Sequence, residues 1–253
     1  MFEIIDFHTH PYIRSDENIC IYKGYVGMDS ESIEKDLASI GISAYCGSVI
    51  GRGYSGFENI RKSNDMALEI KSKSRMTYIP GIQIHPAYRD ESAHEIDRAT
   101  ENEIKMVGEL VPAFYKYEYS HPAFEDLLDH AKGKIELFSL HTMNLEVLSE
   151  MPARHKDIDF VFAHPGEKAI LDQHIQIMKK NDNVYLDISG TGLFRYGMLK
   201  QLVDEVGAER ILFGTDYPIC NPNMYIAGVL FEKISDREKE LIFAGNAKRL
   251  LRL

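Results

Sequence analysis

Six residues of this chain could do metal chemistry together: His8, His10, Glu109, His141, His164 and Asp216. His8 and His10 form a His-x-His pair. On a strand, side chains two apart share a face and lie roughly 6–7 Å apart along the chain. Two imidazoles so placed are half of a divalent-metal site. Asp6 has the same parity and is expected to orient one imidazole from behind. Taken singly, each residue has an ordinary alternative. Glu109 could belong to a buried ion pair, His141 and His164 could be satisfied core histidines, and Asp216 could serve a turn before Tyr217-Pro218. Their common position decides the matter, because each closes a different apolar run.

Those runs are Glu3 to Phe7, Ile42 to Val49, Met76 to Ile84, Lys105 to Val111, Ile135 to Leu140, Asp159 to Ala163, Asn183 to Ile188 and Arg210 to Phe213. Short apolar runs with polar boundaries read as parallel strands covered on both faces. Amphipathic stretches separate them. Asp29 and Ser30 can cap one whose stripe is Ile33, Leu37 and Ile40, with Gly41 as its stop. Pro122 opens another, and Ser235 with Glu238 has capping-box spacing. Eight strands alternating with eight helices call for a closed (β/α)8 TIM barrel, an α/β fold with its site at the C-terminal ends of the strands. A doubly wound open sheet would need a Gly-rich first turn, and none follows the first run. The stretches Pro11 to Met28 and Tyr217 to Lys233 read as irregular loops at the catalytic rim.

Other residues read as substrate contacts. His85 ends the third run, Arg52 follows the second, Tyr115 follows the fourth and Arg195 follows the seventh. Either arginine could clamp a carboxylate or phosphate. His94, His121, His130, His155 and His174 fall away from the rim and are expected at the surface.

Composition limits the function classes. The 253 residues fit one domain spanning 1–253, and 44% hydrophobic content suits a sizeable core. The formal charge of −10 argues against nucleic acid or an anionic membrane as partner. Three scattered cysteines, Cys20, Cys46 and Cys220, suit neither a disulfide framework nor a Cys-rich zinc site. No apolar run reaches the roughly 18 residues of a membrane span. A cytoplasmic enzyme acting on a small molecule is expected.

The motifs resemble the amidohydrolase superfamily, specifically its amidohydrolase-related branch (amidohydrolase 2), across essentially the whole chain. Ile5-Asp6-Phe7-His8-Thr9-His10 resembles the opening strand of that branch. Phe162-Ala163-His164-Pro165-Gly166 is similar to its sixth strand, Asn183 to Ser189 to its seventh, and Arg210 to Pro218 to its eighth. Gly245 to Leu251 resembles its closing helix, with a structural role for Asn246. The resemblance implies a divalent metal, usually zinc and sometimes manganese, on His8, His10, His141 and Asp216. It implies that His164 acts on water or substrate, and that the protein can form a homodimer. Two departures stand out. Glu167 follows Gly166 where a second glycine is common, and Glu109-Leu110-Val111-Pro112 replaces a Lys-x-His-Pro pattern. A carboxylate at 109 looks like the bridging group of binuclear relatives. His141 and His164 would then bind a second ion.

Hydrolysis of an amide, lactone or ester follows as the expected chemistry, with water activated by the metal and Asp216 moving the proton. The rival readings are a metal-dependent non-oxidative decarboxylase of a carboxylated aromatic or muconate-like acid, a phosphoesterase, and a binding module without activity.

Overall fold

The structure, a computed structural model, describes residues 2–14, 17, 19, 29–51, 53–142, 145–193 and 195–253. Arg52, Cys20 and most of the Pro11 to Met28 stretch lie outside the described residues. Eight strands form one sheet in sequence order, every pair parallel. They are β1 (Ile4–Thr9), β2 (Ile42–Ser48), β3 (Thr77–Ile82), β4 (Met106–Leu110), β5 (Leu137–His141), β6 (Asp159–Ala163), β7 (Val184–Asp187) and β8 (Ile211–Leu212). Backbone hydrogen bonds join the first and last strands. Phe7 N donates to Phe213 O at 2.8 Å, Asp216 N to His8 O at 2.9 Å and His10 N to Tyr217 O at 2.8 Å. The chain is a (β/α)8 TIM barrel.

The helices are α1 (Ser30–Ser39), α2 (Phe57–Lys73), α3 (Arg89–Glu101), α4 (Pro112–Tyr115), α5 (Pro122–Ala131), α6 (Leu145–Arg154), α7 (Lys168–Lys180), α8 (Met198–Val206), α9 (Pro222–Leu230), α10 (Asp236–Glu240) and α11 (Asn246–Leu251). Their ends follow the sequence signals. The Asp29 carboxylate accepts from Ser32 N at 2.9 Å and caps α1. Ser235 and Glu238 close a reciprocal capping box on α10. Pro122 occupies the first turn of α5. The stretch Tyr217 to Lys233, expected to be irregular, contains α9. Its start is signalled by Asn221, whose side chain accepts from Asn223 N at 3.0 Å, and by Pro222. Apolar residues on several of its faces hide the usual stripe.

Two buried apolar clusters hold the barrel. The larger lies between strands and helices and includes Ile33, Leu37, Phe138, Phe160 and Leu202. The smaller draws on all eight strands, for example Ile5, Cys46, Ile79, Met106, Leu137, Val161, Tyr185 and Leu212, and so fills the barrel interior. Ala247 and Leu251 of α11 join that cluster. Asn246 carries the structural role expected of it, donating through Nδ2 to Ala208 O at 2.7 Å and Ile211 O at 2.8 Å. Among the described residues no helix is long and apolar enough to cross a membrane.

Candidate metal centre

His8 lies near the end of β1 and His10 just beyond it, with their Nε2 atoms 3.2 Å apart. Each imidazole is held from behind. His8 Nδ1 meets Asp187 Oδ2 at 3.0 Å, and His10 Nδ1 donates to Ser48 O at 2.9 Å. Such bonds fix ring orientation and leave Nε2 free to donate a lone pair. Two carboxylates face these atoms. Glu109 Oε2 lies 3.4 Å from His8 Nε2 and 3.3 Å from His10 Nε2. Asp216 Oδ1 lies 3.6 and 3.4 Å from the same two nitrogens. Four donors around a tetrahedral divalent cation, each about 2.1 Å from it, are separated by about 3.4 Å. The five observed spacings run from 3.2 to 3.6 Å, and His8, His10 and Asp216 lie close enough together to hold such a cation, as do His8, Glu109 and His164.

The second oxygen of Glu109 faces the other way. Oε1 lies 2.8 Å from His141 Nδ1 and 3.4 Å from His164 Nε2, and those two nitrogens are 3.2 Å apart. Glu109 therefore stands between two donor groups. Its position depends on Gly108 at φ +99°, where an added Cβ would come within 2.0 Å of Ser139 O. His164 and Asp216 sit at φ +70° and +64° just after β6 and β8. That left-handed backbone costs non-glycine residues on the order of 1 kcal/mol or more each, and such residues cluster at functional sites.

The electrostatics favour cations. Burial opposes charge on His8, yet Asp187 and Glu109 raise its pKa well above the ordinary histidine value. Burial likewise opposes charge on His10, but hydrogen bonds to Asp216 and Glu109 hold it up at about 9. Burial alone would raise Glu109; the charge on His8 and hydrogen bonds from His10, His141 and His164 instead hold it well below the usual carboxylate range. Without a metal, His8 and His10 hold protons at neutral pH.

All six expected metal-site residues meet at one end of the barrel, but several other expectations need correction. Asp6 does not orient an imidazole. Its carboxylate accepts from His8 N at 3.2 Å, Thr215 N at 3.0 Å and Thr215 Oγ1 at 2.6 Å, tying β1 to the segment after β8. Burial pushes its pKa up to about 7 against those hydrogen bonds. Asp187, at the end of β7, performs the orienting role, and nothing in its local sequence marks it for one. Tyr115 is fully buried and packs edge-on against Tyr54, so its side chain is not open to a substrate. His85 is also buried. Its Nε2 donates to Tyr115 O at 2.9 Å and its Nδ1 accepts from Ala87 N at 3.1 Å. Arg195 pairs with Glu167 on the surface. His155 and His174, expected at the surface, are buried.

Two cavities open at this end. One, of about 450 Å³, is lined by His141, Thr142, His164, Glu167 and Asp216. The other, of about 590 Å³, is lined by Leu193, Arg195, Tyr196, Met224 and Phe231. Gly190 borders both.

Comparison with known proteins places this site in context. A 92-residue stretch is 37% identical to gamma-resorcylate decarboxylase from a Polaromonas species, covering 36% of this chain and 25% of that protein. The fold is similar to 2,6-dihydroxybenzoate decarboxylase from Rhizobium, with a TM-score of 0.77, 15% identity and coverage of 100% of this chain and 99% of that one. It is also similar to a dihydroxybenzoic acid decarboxylase from a Polaromonas species, solved with bound manganese and 2-nitroresorcinol. There the TM-score is 0.76 at 16% identity, covering 100% of this chain and 98% of the other. The sequence profile of the amidohydrolase family matches residues 5–253, and the chain belongs to that family.

Proposed function

We propose that the chain is a metal-dependent, non-oxidative decarboxylase of a small carboxylated aromatic acid. The observation that carries this reading is the 37% identity to gamma-resorcylate decarboxylase over 92 residues. The largely apolar 590 Å³ cavity, which shares Gly190 with the cavity lined by His164 and Asp216, adds support, since its volume and lining suit an aromatic ring. This reading takes the alternative from the sequence over hydrolysis, which was the first expectation.

In this proposal His8, His10, Glu109 and Asp216 hold the cation. A bound divalent cation would supply Lewis-acid polarisation of a substrate carboxylate and a neighbouring oxygen. Manganese and zinc both suit two imidazoles with two carboxylates. Manganese gains support from the Polaromonas structure. Loss of carbon dioxide leaves the electron pair of the broken carbon–carbon bond on the ring carbon, which must then gain a proton. Asp216 and His164 both line the smaller cavity and are the groups assigned to that transfer. Burial opposes charge on His164, but Glu109 raises its proton affinity above the ordinary histidine value. Arg195, at the edge of the apolar cavity, is retained as a candidate contact for a polar substituent.

One observation favours hydrolysis of an amide, lactone or ester as a second reading. Glu109 turns its two oxygens to two separate donor groups, which suits two cations and water activation. One experiment tests both. Manganese-loaded protein is incubated with a panel of hydroxybenzoic acids, and separately with aryl esters, lactones and amides. Bicarbonate from the acids supports the proposal. Turnover confined to the esters, lactones or amides contradicts it and supports hydrolysis.

A further inference from the structure

Behind the donor set lies a second network, centred on Ser189. Its Oγ is 3.0 Å from His8 Nδ1 and 3.0 Å from His164 Nδ1, and it donates to Asp187 Oδ1. The other oxygen of Asp187 meets His8 Nδ1 at 3.0 Å. Ser189 N donates to Asp187 Oδ1 at 2.9 Å, which fixes the serine relative to the carboxylate. Asp187 and Ser189 are both fully buried, so water does not substitute for these partners. A hydroxyl has one proton and two lone pairs. With the proton given to Asp187, both lone pairs remain for the two Nδ1 atoms, and each of those must carry a hydrogen. Gly190 makes room for this contact, since a Cβ there would come within 2.3 Å of His164 Nδ1.

We propose that Asp187, directly at His8 and through Ser189 at His164, fixes both imidazoles as Nδ1–H tautomers and so leaves both Nε2 atoms facing the site, His8 as a ligand and His164 to take up and pass on a proton. Asp187 and Ser189 are positioning residues. The two imidazoles belong to the two donor groups that Glu109 faces, so one buried carboxylate aligns both groups from behind. His10 is independent of this network, because its Nδ1 donates to Ser48 O. The inference rests on the reading that these residues hold a divalent cation.

The test uses zinc-loaded, histidine-¹⁵N-labelled protein, because zinc is diamagnetic. Long-range ¹H–¹⁵N correlation spectra distinguish the two tautomers. His8 and His164 are expected as Nδ1–H. Ser189→Ala should leave His10 unchanged, release His164 into a tautomer mixture and weaken zinc binding by roughly 10- to 100-fold in a chelator competition. Ser189→Thr, which keeps the hydroxyl, should restore most of the affinity. A wild-type His164 found as Nε2–H overturns the proposal. So does a folded Ser189→Ala protein with an unchanged His164 spectrum and wild-type affinity. If Ser189→Ala fails to fold, the wild-type tautomers still decide. Wild-type protein that binds no zinc overturns the metal reading and the inference with it; binding with the wrong tautomer overturns the inference alone.

Discussion

Replacing Glu109 with glutamine keeps the side-chain shape and removes the charge. The consequences follow from its four contacts, at 3.4 and 3.3 Å to His8 and His10 and at 2.8 and 3.4 Å to His141 and His164. A carboxylate can turn an acceptor to both sides; an amide has one acceptor and turns an NH₂ to the other side. A unit charge at 3.4 Å contributes about 5 kcal/mol gross at an effective dielectric constant of about 20, and more for a dication. Desolvation cancels part of this. Removing an orienting partner behind a metal ligand already costs about 10- to 100-fold in affinity, so losing a facing carboxylate should cost on the order of 100-fold or more, about 2.7 kcal/mol. Without metal, Glu109→Gln breaks a buried charge network, which typically destabilises a fold by about 3–5 kcal/mol. The assays are metal content after gel filtration, affinity by chelator competition, and denaturation of the metal-free protein. Wild-type affinity and stoichiometry in a folded Glu109→Gln protein would refute the assignment of Glu109 to the cation site.

Further outcomes follow from other parts of the structure. Asp216→Asn should leave the fold intact, as judged by circular dichroism, and reduce turnover by at least 100-fold; near wild-type turnover would remove Asp216 from the proton transfer. Metal uptake at pH 7 should release about two protons for the ion held by His8 and His10, because both imidazoles hold protons in its absence. Affinity should therefore rise with pH through about 9, where His10 loses its proton, and pH-independent affinity would contradict the charge balance. His174 is buried on α7 with no hydrogen-bond partner for either nitrogen among the described residues, and burial lowers its pKa to about 4. The fold binds its neutral form, so this stability is fully present above the unfolded value of 6.5 and is lost as pH falls toward 4. The effect is worth about 3 kcal/mol. Urea denaturation should show wild type losing that much more than His174→Leu between pH 7.5 and 4; equal losses would sink the idea.

The fold and the front of the site were legible because both depend on simple periodicities. Alternation put His8 and His10 on one face, and the ends of apolar runs marked Glu109, His141, His164 and Asp216. What lies behind the donors depends on barrel closure. Asp187 reaches His8 only because β7 and β1 both point into the same ring, and no local pattern reports that. Asp6 shares His8's parity, but β1 shifts register against β2 between Asp6 and Thr9, and the carboxylate serves backbone and Thr215 instead. His85 and Tyr115 showed the limit of the strand-end rule, which gives a position but no direction. The turn at Pro86–Tyr88 starts at His85, whose imidazole accepts from Ala87 N and reaches the Tyr115 carbonyl. His174 was readable in principle, since it lies three and four residues from Leu171 and Met178 on the buried stripe of α7.

The proposed chemistry requires a cation held by His8, His10, Glu109 and Asp216. Anomalous diffraction from crystals grown with manganese tests this most directly. The predicted result is a peak within bonding distance of both Nε2 atoms and of a carboxylate oxygen from Glu109 and from Asp216. A fully occupied peak elsewhere, with these four side chains unliganded, would contradict it.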